Sequence, residues 1–446
     1  MTAASPPMSR CSGGWPAASL DDAAPDVISL CWGSVAIYDP LREILPNLHD
    51  RLSEANRSMA AAPQFSTDRF AVKLGLFYAA YFFFGGVQLP FFPLWLEARG
   101  LDARTIGMVI AVPTLVRIFA TPLIAHAADR HGAVRATLSI GSVVGLLGMT
   151  VTGLVEGPVP ILLGFALAMV ALSPMLSLSD AYALSGLGSR GRSYGPVRLW
   201  GSVAFIAGNV GAGLILEAIA PGHLIWLIVF ALVVLVVAAA ALEPLEAGSK
   251  LEPAAPRQSP KVLLRNRAFL AVVLASGLIQ GSHALYYGFS TLAWRAAGLD
   301  GWLIGALWGL GVAAEVGLFA LSGRLPKWLS PTLLLALGGC GAIVRWGAMA
   351  FDPPVALLPA LQLLHAASFG AAHLGMMAFM ARAVPRQLAA TAQGFAATWG
   401  GIVNASATFI SGFIFAASGS LAYLVMAAMA LIGLTSALYA GRIWRD

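Results

Sequence analysis

Charge is scarce in this chain. Asp, Glu, Lys and Arg make up 11% of 446 residues and mean hydropathy is +0.79, whereas a soluble domain carries about 25% charged residues. A conventional water-soluble domain is excluded. Cysteine is nearly absent: Cys11, Cys31 and Cys340 give neither a disulfide framework nor a metal-ligand spacing. There is no P-loop, no zinc motif and no nucleophile elbow, so no enzymatic signature and no cofactor site stand out. ATP-driven chemistry would need a partner chain. The basic start and continuous apolar core of a signal peptide are missing as well. The surplus of Lys and Arg, +6 in all, reads as membrane topology rather than nucleic-acid binding.

What the chain has in abundance is apolar runs. Segments long enough to cross a bilayer fall near 70–95, 105–126, 134–155, 159–184, 197–219, 223–242, 268–294, 302–322, 331–351, 355–380, 391–416 and 421–440. Gly85, Gly86 and Pro113 lie inside them, tolerated where neighbouring helices re-satisfy the backbone. Basic residues gather in alternate loops: Arg130 and Arg135, Arg190 and Arg192, Lys250 to Arg267, Arg324 and Lys327, Arg382 and Arg386. The opposite loops hold little beyond Arg99, Arg104 and Arg295. Such asymmetry predicts that both termini are cytoplasmic. Residues 1–66 are rich in Ala, Pro and Ser and are expected to be a disordered tail, or a start placed upstream of Met59. The polar stretch 243–266, with Pro244, Pro253, Pro256 and Pro260, reads as a cytoplasmic linker. The expected organisation is an all-α integral membrane protein of twelve helices in two pseudo-symmetric six-helix bundles, residues 67–242 and 267–446.

An internal repeat accounts for the symmetry. Gly100-Leu101-Asp102 is followed by Ile106-Gly107 and then Arg117; Gly298-Leu299-Asp300 is followed by Ile304-Gly305 and then Glu315. Spacings from glycine to glycine and from glycine to the charge are identical, and a tryptophan, Trp95 or Trp294, precedes each copy. Repeated halves are a common plan of secondary transporters.

The loop Asp129-Arg130-His131-Gly132 resembles the Asp-Arg-x-Gly signature of the major facilitator superfamily, with Ala125 where glycine is usual. Leu89-Pro90-Phe91-Phe92-Pro93-Leu94-Trp95-Leu96 resembles the first span of the lactose permease family. Tyr194-Gly195-Pro196-Val197-Arg198-Leu199-Trp200-Gly201-Ser202, His283-Ala284-Leu285-Tyr286-Tyr287-Gly288-Phe289-Ser290 and Ala342-Ile343-Val344-Arg345-Trp346-Gly347 are similar to the phenylpropionate permease family of the same superfamily. The likeness covers about residues 70–440. It implies the major facilitator fold, no enzymatic activity, a small-molecule substrate, and a monomer among lipids of the bacterial inner membrane.

Charges inside spans cost about 2.5–3.5 kcal/mol each on insertion scales, so they mark function by default. Asp180 and Arg198 stand where the lactose permease family has part of its sugar site. Glu315, Arg345 and His365 match its polar residues in spans eight to ten. Ser368 stands where that family carries the proton-holding glutamate, which makes Glu315, with His365 and Arg345, the expected proton-coupling group. Arg117, Asp180, Arg198, His283, Tyr286, Tyr287 and Arg345 are the expected substrate contacts, and Asp129 and Arg130 a conformational latch. Expected pairs are Glu315–Arg345, opened by an incoming anion, and Asp180–Arg198; the alternative for each is a permanent structural bridge. His283, His365 and His373 either relay protons or are satisfied structural groups. Tyr78, Tyr81, Phe82, Phe83, Phe84, Tyr286, Tyr287 and Phe289 either stack on an aromatic substrate or pack helices.

These readings lead to proton-coupled symport of an aromatic carboxylic acid such as 3-phenylpropionate by alternating access. The alternatives are a carrier of a sugar or nucleoside, and a membrane protein that moves no solute, a sensor or intramembrane enzyme.

Overall fold

A computed structural model describes residues 68–245, 261–326 and 328–444. The tail expected at 1–66, most of the linker expected at 243–266 and Lys327 lie outside the described residues. Every regular element among those described is helical. In hydrocarbon a helix satisfies its own backbone groups, which an open strand cannot do.

Eleven apolar helical stretches are long enough to span a bilayer, and the last, 55 residues, is two helices divided at Gly419–Ala422. Twelve spans result among the described residues. They are α1 (Arg69–Ala98), α2 (Ala103–Arg130), α3 (Val134–Leu154), α4 (Pro158–Gly188), α5 (Tyr194–Ile215) and α6 (Pro221–Ala240). A five-residue helix, Lys261–Arg265, precedes α7 (Arg267–Ala296). Then come α8 (Gly301–Leu321), α9 (Pro331–Met349), α10 (Val355–Ala383), α11 (Ala389–Ser418) and α12 (Tyr423–Ile443). Lys73 at the start of α1 meets Glu243 beyond α6 at 2.8 Å.

Three spans are interrupted. Pro174 divides α4 after Leu172, because proline cannot donate to the preceding turn. Helix α7 breaks at Ser282–His283, and the side chains there take the freed carbonyls: Ser282 Oγ donates to Ile279 O at 2.6 Å, and His283 Nδ1 lies 3.2 Å from both Ile279 O and Gln280 O. Helix α10 carries a π-turn at Ala366–Ala371, directly after His365.

Both repeat copies build the same elbow. Gly100 and Gly298 adopt φ of 82° and 83°, a region open to glycine because it has no Cβ. The next amides, of Leu101 and Leu299, reach back to Leu96 O and Trp294 O, which is the bond of a Schellman helix end. Gly132 of the Asp-Arg-x-Gly loop makes the same turn, at φ 61°.

Where the two halves meet, glycine lets backbones touch. Helix α2 crosses α11 at Gly107 and Gly412; α8 crosses α5 at Gly301, Gly305 and Gly213. A Cβ at Gly412 would stand 2.6 Å from Ala103 O, and one at Gly301 2.6 Å from Gly213 O. Glu217, just past α5, accepts the amide of Gly301 across the interface. These approaches lie toward the Gly100 and Gly298 elbows. Toward the basic loops, Phe119 and Leu123 of α2 and Trp200 of α5 are 71%, 70% and 49% exposed.

Candidate functional site

The polar core of the second half forms a chain across three helices. Arg345 (α9) is fully buried and places Nη1 3.0 Å from His365 Nδ1 (α10) and Nη2 2.7 Å from Gln362 Oε1. His365 Nε2 in turn lies 3.3 Å from Glu315 Oε2 (α8). The protonation pattern follows from valence. Arginine only donates, so Nδ1 accepts and the neutral ring carries its hydrogen on Nε2, directed at the Glu315 carboxylate. Tyr286 (α7) also donates to Gln362 Oε1, at 3.0 Å. The guanidinium lies over the Tyr286 and Trp346 rings at 4.5 and 4.7 Å, and Trp308 stacks on Tyr286.

The expected Glu315–Arg345 pair is therefore corrected. His365 stands between the two, and Arg345 contacts no carboxylate within 4.0 Å among the described residues. Glu315 is the partly exposed end of the chain, with its side chain 17% accessible. Arg198 of the opposite half and His373 are near enough to act on its charge.

The Asp180–Arg198 pair is absent as well among the described residues. Asp180 (α4) instead accepts two phenols on Oδ1, from Tyr78 (α1) at 2.6 Å and Tyr194 (α5) at 2.8 Å. Arg198 turns its guanidinium onto the Phe82 ring at 4.0 Å and lies 5.5 Å from that of Tyr78. Short phenol bonds satisfy the carboxylate without a cation, and aromatic faces hold the guanidinium without an anion. Arg117 (α2) is exposed, close enough for its charge to act on the Tyr81 phenol.

The other expected residues separate by burial. His283 is fully buried with both ring nitrogens engaged: carbonyls on Nδ1 and Ser368 Oγ at 3.1 Å on Nε2. Two carbonyls cannot donate, so Nδ1 carries the hydrogen and Nε2 accepts from Ser368. That places it as the clasp of the α7 break, with no exposed surface of its own. Tyr286 is buried in the chain just described, while Tyr287 keeps partial exposure. Asp129 and Arg130 are exposed at the basic-loop end of α2. Sequence reasoning missed Gln362 and the phenols of Tyr78 and Tyr194 as hydrogen-bond donors. An amide one turn before His365 in an otherwise apolar run was the available signal.

Twelve spans in two related halves, with ionisable groups facing one another between them, define a membrane transporter of the major facilitator type. The chain belongs to the MFS_1 like family, whose model matches residues 71–425. It is 32% identical over 373 residues to a probable 3-phenylpropionic acid transporter of Escherichia coli K12, covering 80% of this chain and 94% of that one. A maltose permease of Geobacillus stearothermophilus is 28% identical, with coverage of 76% and 86%. The fold is similar to the crystal structure of the nucleoside transporter NupG, with a TM-score of 0.71 at 15% identity, covering 84% of this chain and all of that one. It is also similar to a bacterial homologue of the human lysosomal transporter Spinster in an inward-facing, occupied conformation, at 0.68 and 13% identity, covering 85% and 98%.

Proposed function

We propose that the protein is a proton symporter of an aromatic carboxylic acid, of which 3-phenylpropionate is the first to test. One observation carries the reading: Arg117 and Arg198 both lie in spans, and neither has a carboxylate within 4.0 Å among the described residues. A guanidinium with no carboxylate partner is a bidentate seat for an incoming one. Phe82, Tyr81 and Tyr78 beside it offer ring faces to an aromatic group. The relative named for 3-phenylpropionic acid supports the same substrate class.

In this scheme the acid enters as its anion and sits on Arg198 and Arg117, while Glu315 takes one proton. One negative substrate and one positive proton cross together, so the step is electroneutral. Basic loops face the cytoplasm of a bacterial inner membrane, as do both termini. The glycine crossings then seal the outer end and the cleft opens inward. Asp129 and Arg130 would latch the inner end when it closes. Rocking of residues 67–242 against 267–446 about the site exchanges the two openings, with the 243–266 stretch as tether.

The test is uptake into proteoliposomes holding the purified protein. 3-Phenylpropionate should accumulate when the outside is acidic, its methyl ester and amide should not compete, and collapse of the pH gradient should stop accumulation. Accumulation indifferent to pH would remove proton coupling. A second reading has one specific support: both phenols fall on Oδ1 of Asp180, leaving Oδ2 to accept a substrate hydroxyl, as a sugar or nucleoside would supply. Competition by maltose or a nucleoside, and none by the acid, would favour it.

A further inference from the structure

Arg345 is a buried cation that no carboxylate among the described residues neutralises. The groups packed around it are His365, Gln362, Tyr286, Tyr287, Trp346, Tyr423 and, one ring away, His283. None of these is a carboxylate. Around Glu315, Arg198 of the opposite half and His373 of α10 act on its charge but add no negative charge. Removing an unpaired charge from water is among the costliest things a protein interior does, so an arrangement that keeps one there has a use for it.

We infer that Gln362 is the positioning residue of the proton-coupling chain: as a neutral acceptor it fixes Arg345 without discharging it, so that the cation acts on Glu315 through His365. The inference rests on the proton-coupled reading above. Gln362 Oε1 is held at two points, by Arg345 Nη2 and the Tyr286 hydroxyl. The Tyr286 bond holds the oxygen in place and the Arg345 bond ties the guanidinium to it, which aims Nη1 at His365 Nδ1. The imidazole is thereby locked with its hydrogen toward Glu315. A glutamate at 362 would hold Arg345 equally well but would pair with it, cancelling the charge that His365 passes on to Glu315. Gln362 Nε2 and Arg345 Nε, both buried, have no protein partner among the described residues. The clamp thus works through one amide oxygen.

The experiment combines transport with nitrogen NMR of the histidine rings in the full-length protein, His365 being assigned by its loss in His365→Gln. Wild type should show His365 with hydrogen on Nε2. In Gln362→Glu we expect substrate counterflow within about two-fold of wild type, net proton-driven uptake down about ten-fold, and His365 still with its hydrogen on Nε2. Gln362→Met, similar in volume and without an acceptor, frees the guanidinium and should give a mixture of His365 tautomers, and it decides the question should the glutamate variant not fold. Equal losses in counterflow and net uptake in Gln362→Glu, unchanged net uptake at wild-type abundance in that variant, or an unchanged His365 spectrum in Gln362→Met would overturn the inference. If wild type shows no proton-driven accumulation, proton coupling fails, yet the tautomer comparison still decides whether Gln362 orients the chain.

Discussion

The two repeat copies start from the same elbow and diverge at two places. After Gly100, Asp102 caps its own helix by accepting the amide of Thr105 at 3.0 Å. After Gly298, Asp300 holds a similar extended backbone but its side chain caps nothing, and Glu217 of the opposite half takes the first amide of α8. Further along, the first copy presents Arg117 exposed, and the second presents Glu315 bound to His365. Backbone geometry, which the elbow needs, has been kept. Side chains that meet the other half or the cleft have been free to change, so one copy offers a cation and the other a proton-accepting anion. The difference between the copies is where coupling resides on this reading.

The strongest break of the comparison is Glu315→Gln. Net uphill uptake should fall to background while counterflow persists, because the amide mimics a protonated carboxyl; retained accumulation would move the carrier elsewhere. Arg117→Gln at the equivalent position should act on affinity instead. Loss of one charged hydrogen-bond partner costs about 1.5–3 kcal/mol, so KM for the acid should rise roughly ten- to hundred-fold with the pH dependence intact.

Next come the crossings. Gly301→Val puts carbon against Gly213 O, and overpacking of this kind costs about 1–3 kcal/mol. Opening at the elbow end should increase, read as faster labelling of a cysteine at Leu216, which is buried at this crossing, in a background lacking Cys11, Cys31 and Cys340. Insertion of valine without any change in labelling would mean that the crossing is not a gate. Exchange of caps should be gentler. A lost cap is worth about 1 kcal/mol, so Glu217→Ala should favour opening about five-fold. Asp300→Ala should favour closure if Asp300 recaps α8 once the halves part. Shifts of the same sign would rule out recapping.

The smallest mutational effect belongs to Asp102. Hydrogen bonds from Thr105, side chain first and backbone second, hold its carboxyl below the usual carboxylate range. A lowered pKa means the stabilisation is complete above the unfolded value of about 3.9 and is lost as pH falls through the folded one. Asp102→Ala should lower stability by about 0.5–1 kcal/mol at neutral pH. The gap to wild type should shrink in acid, measured by thermal unfolding in detergent.

Spans and repeat were legible because each rests on a local property, run length or an identical spacing. The elbows fall on the first glycine of each copy, where φ is positive and a residue without a Cβ is favoured, although the repeat by itself announced no turn. Pairings between helices were not legible. Arg345, Glu315 and His365 sit on three spans, and which of them touch depends on rotation and depth. A π-turn directly after His365 shifts that register by an amount no periodicity displays. Asp180 shows the same limit: Tyr78 reads as a ring in an aromatic run, and only its depth opposite α4 makes it a hydroxyl donor. Gln362 carries no charge and no period, so a sequence gives it little emphasis.

The chain from Glu315 to Arg345 has an electrical consequence. Passing a proton along a row of groups requires each to accept one and surrender another. Arg345 surrenders none, so the row conducts influence and stops current, as an insulated lead does. A proton reaching Glu315 must leave by the cleft through which it came, or wait until the cleft faces the other side. Substrate-free vesicles holding the protein should then lose a pH gradient no faster than lipid alone.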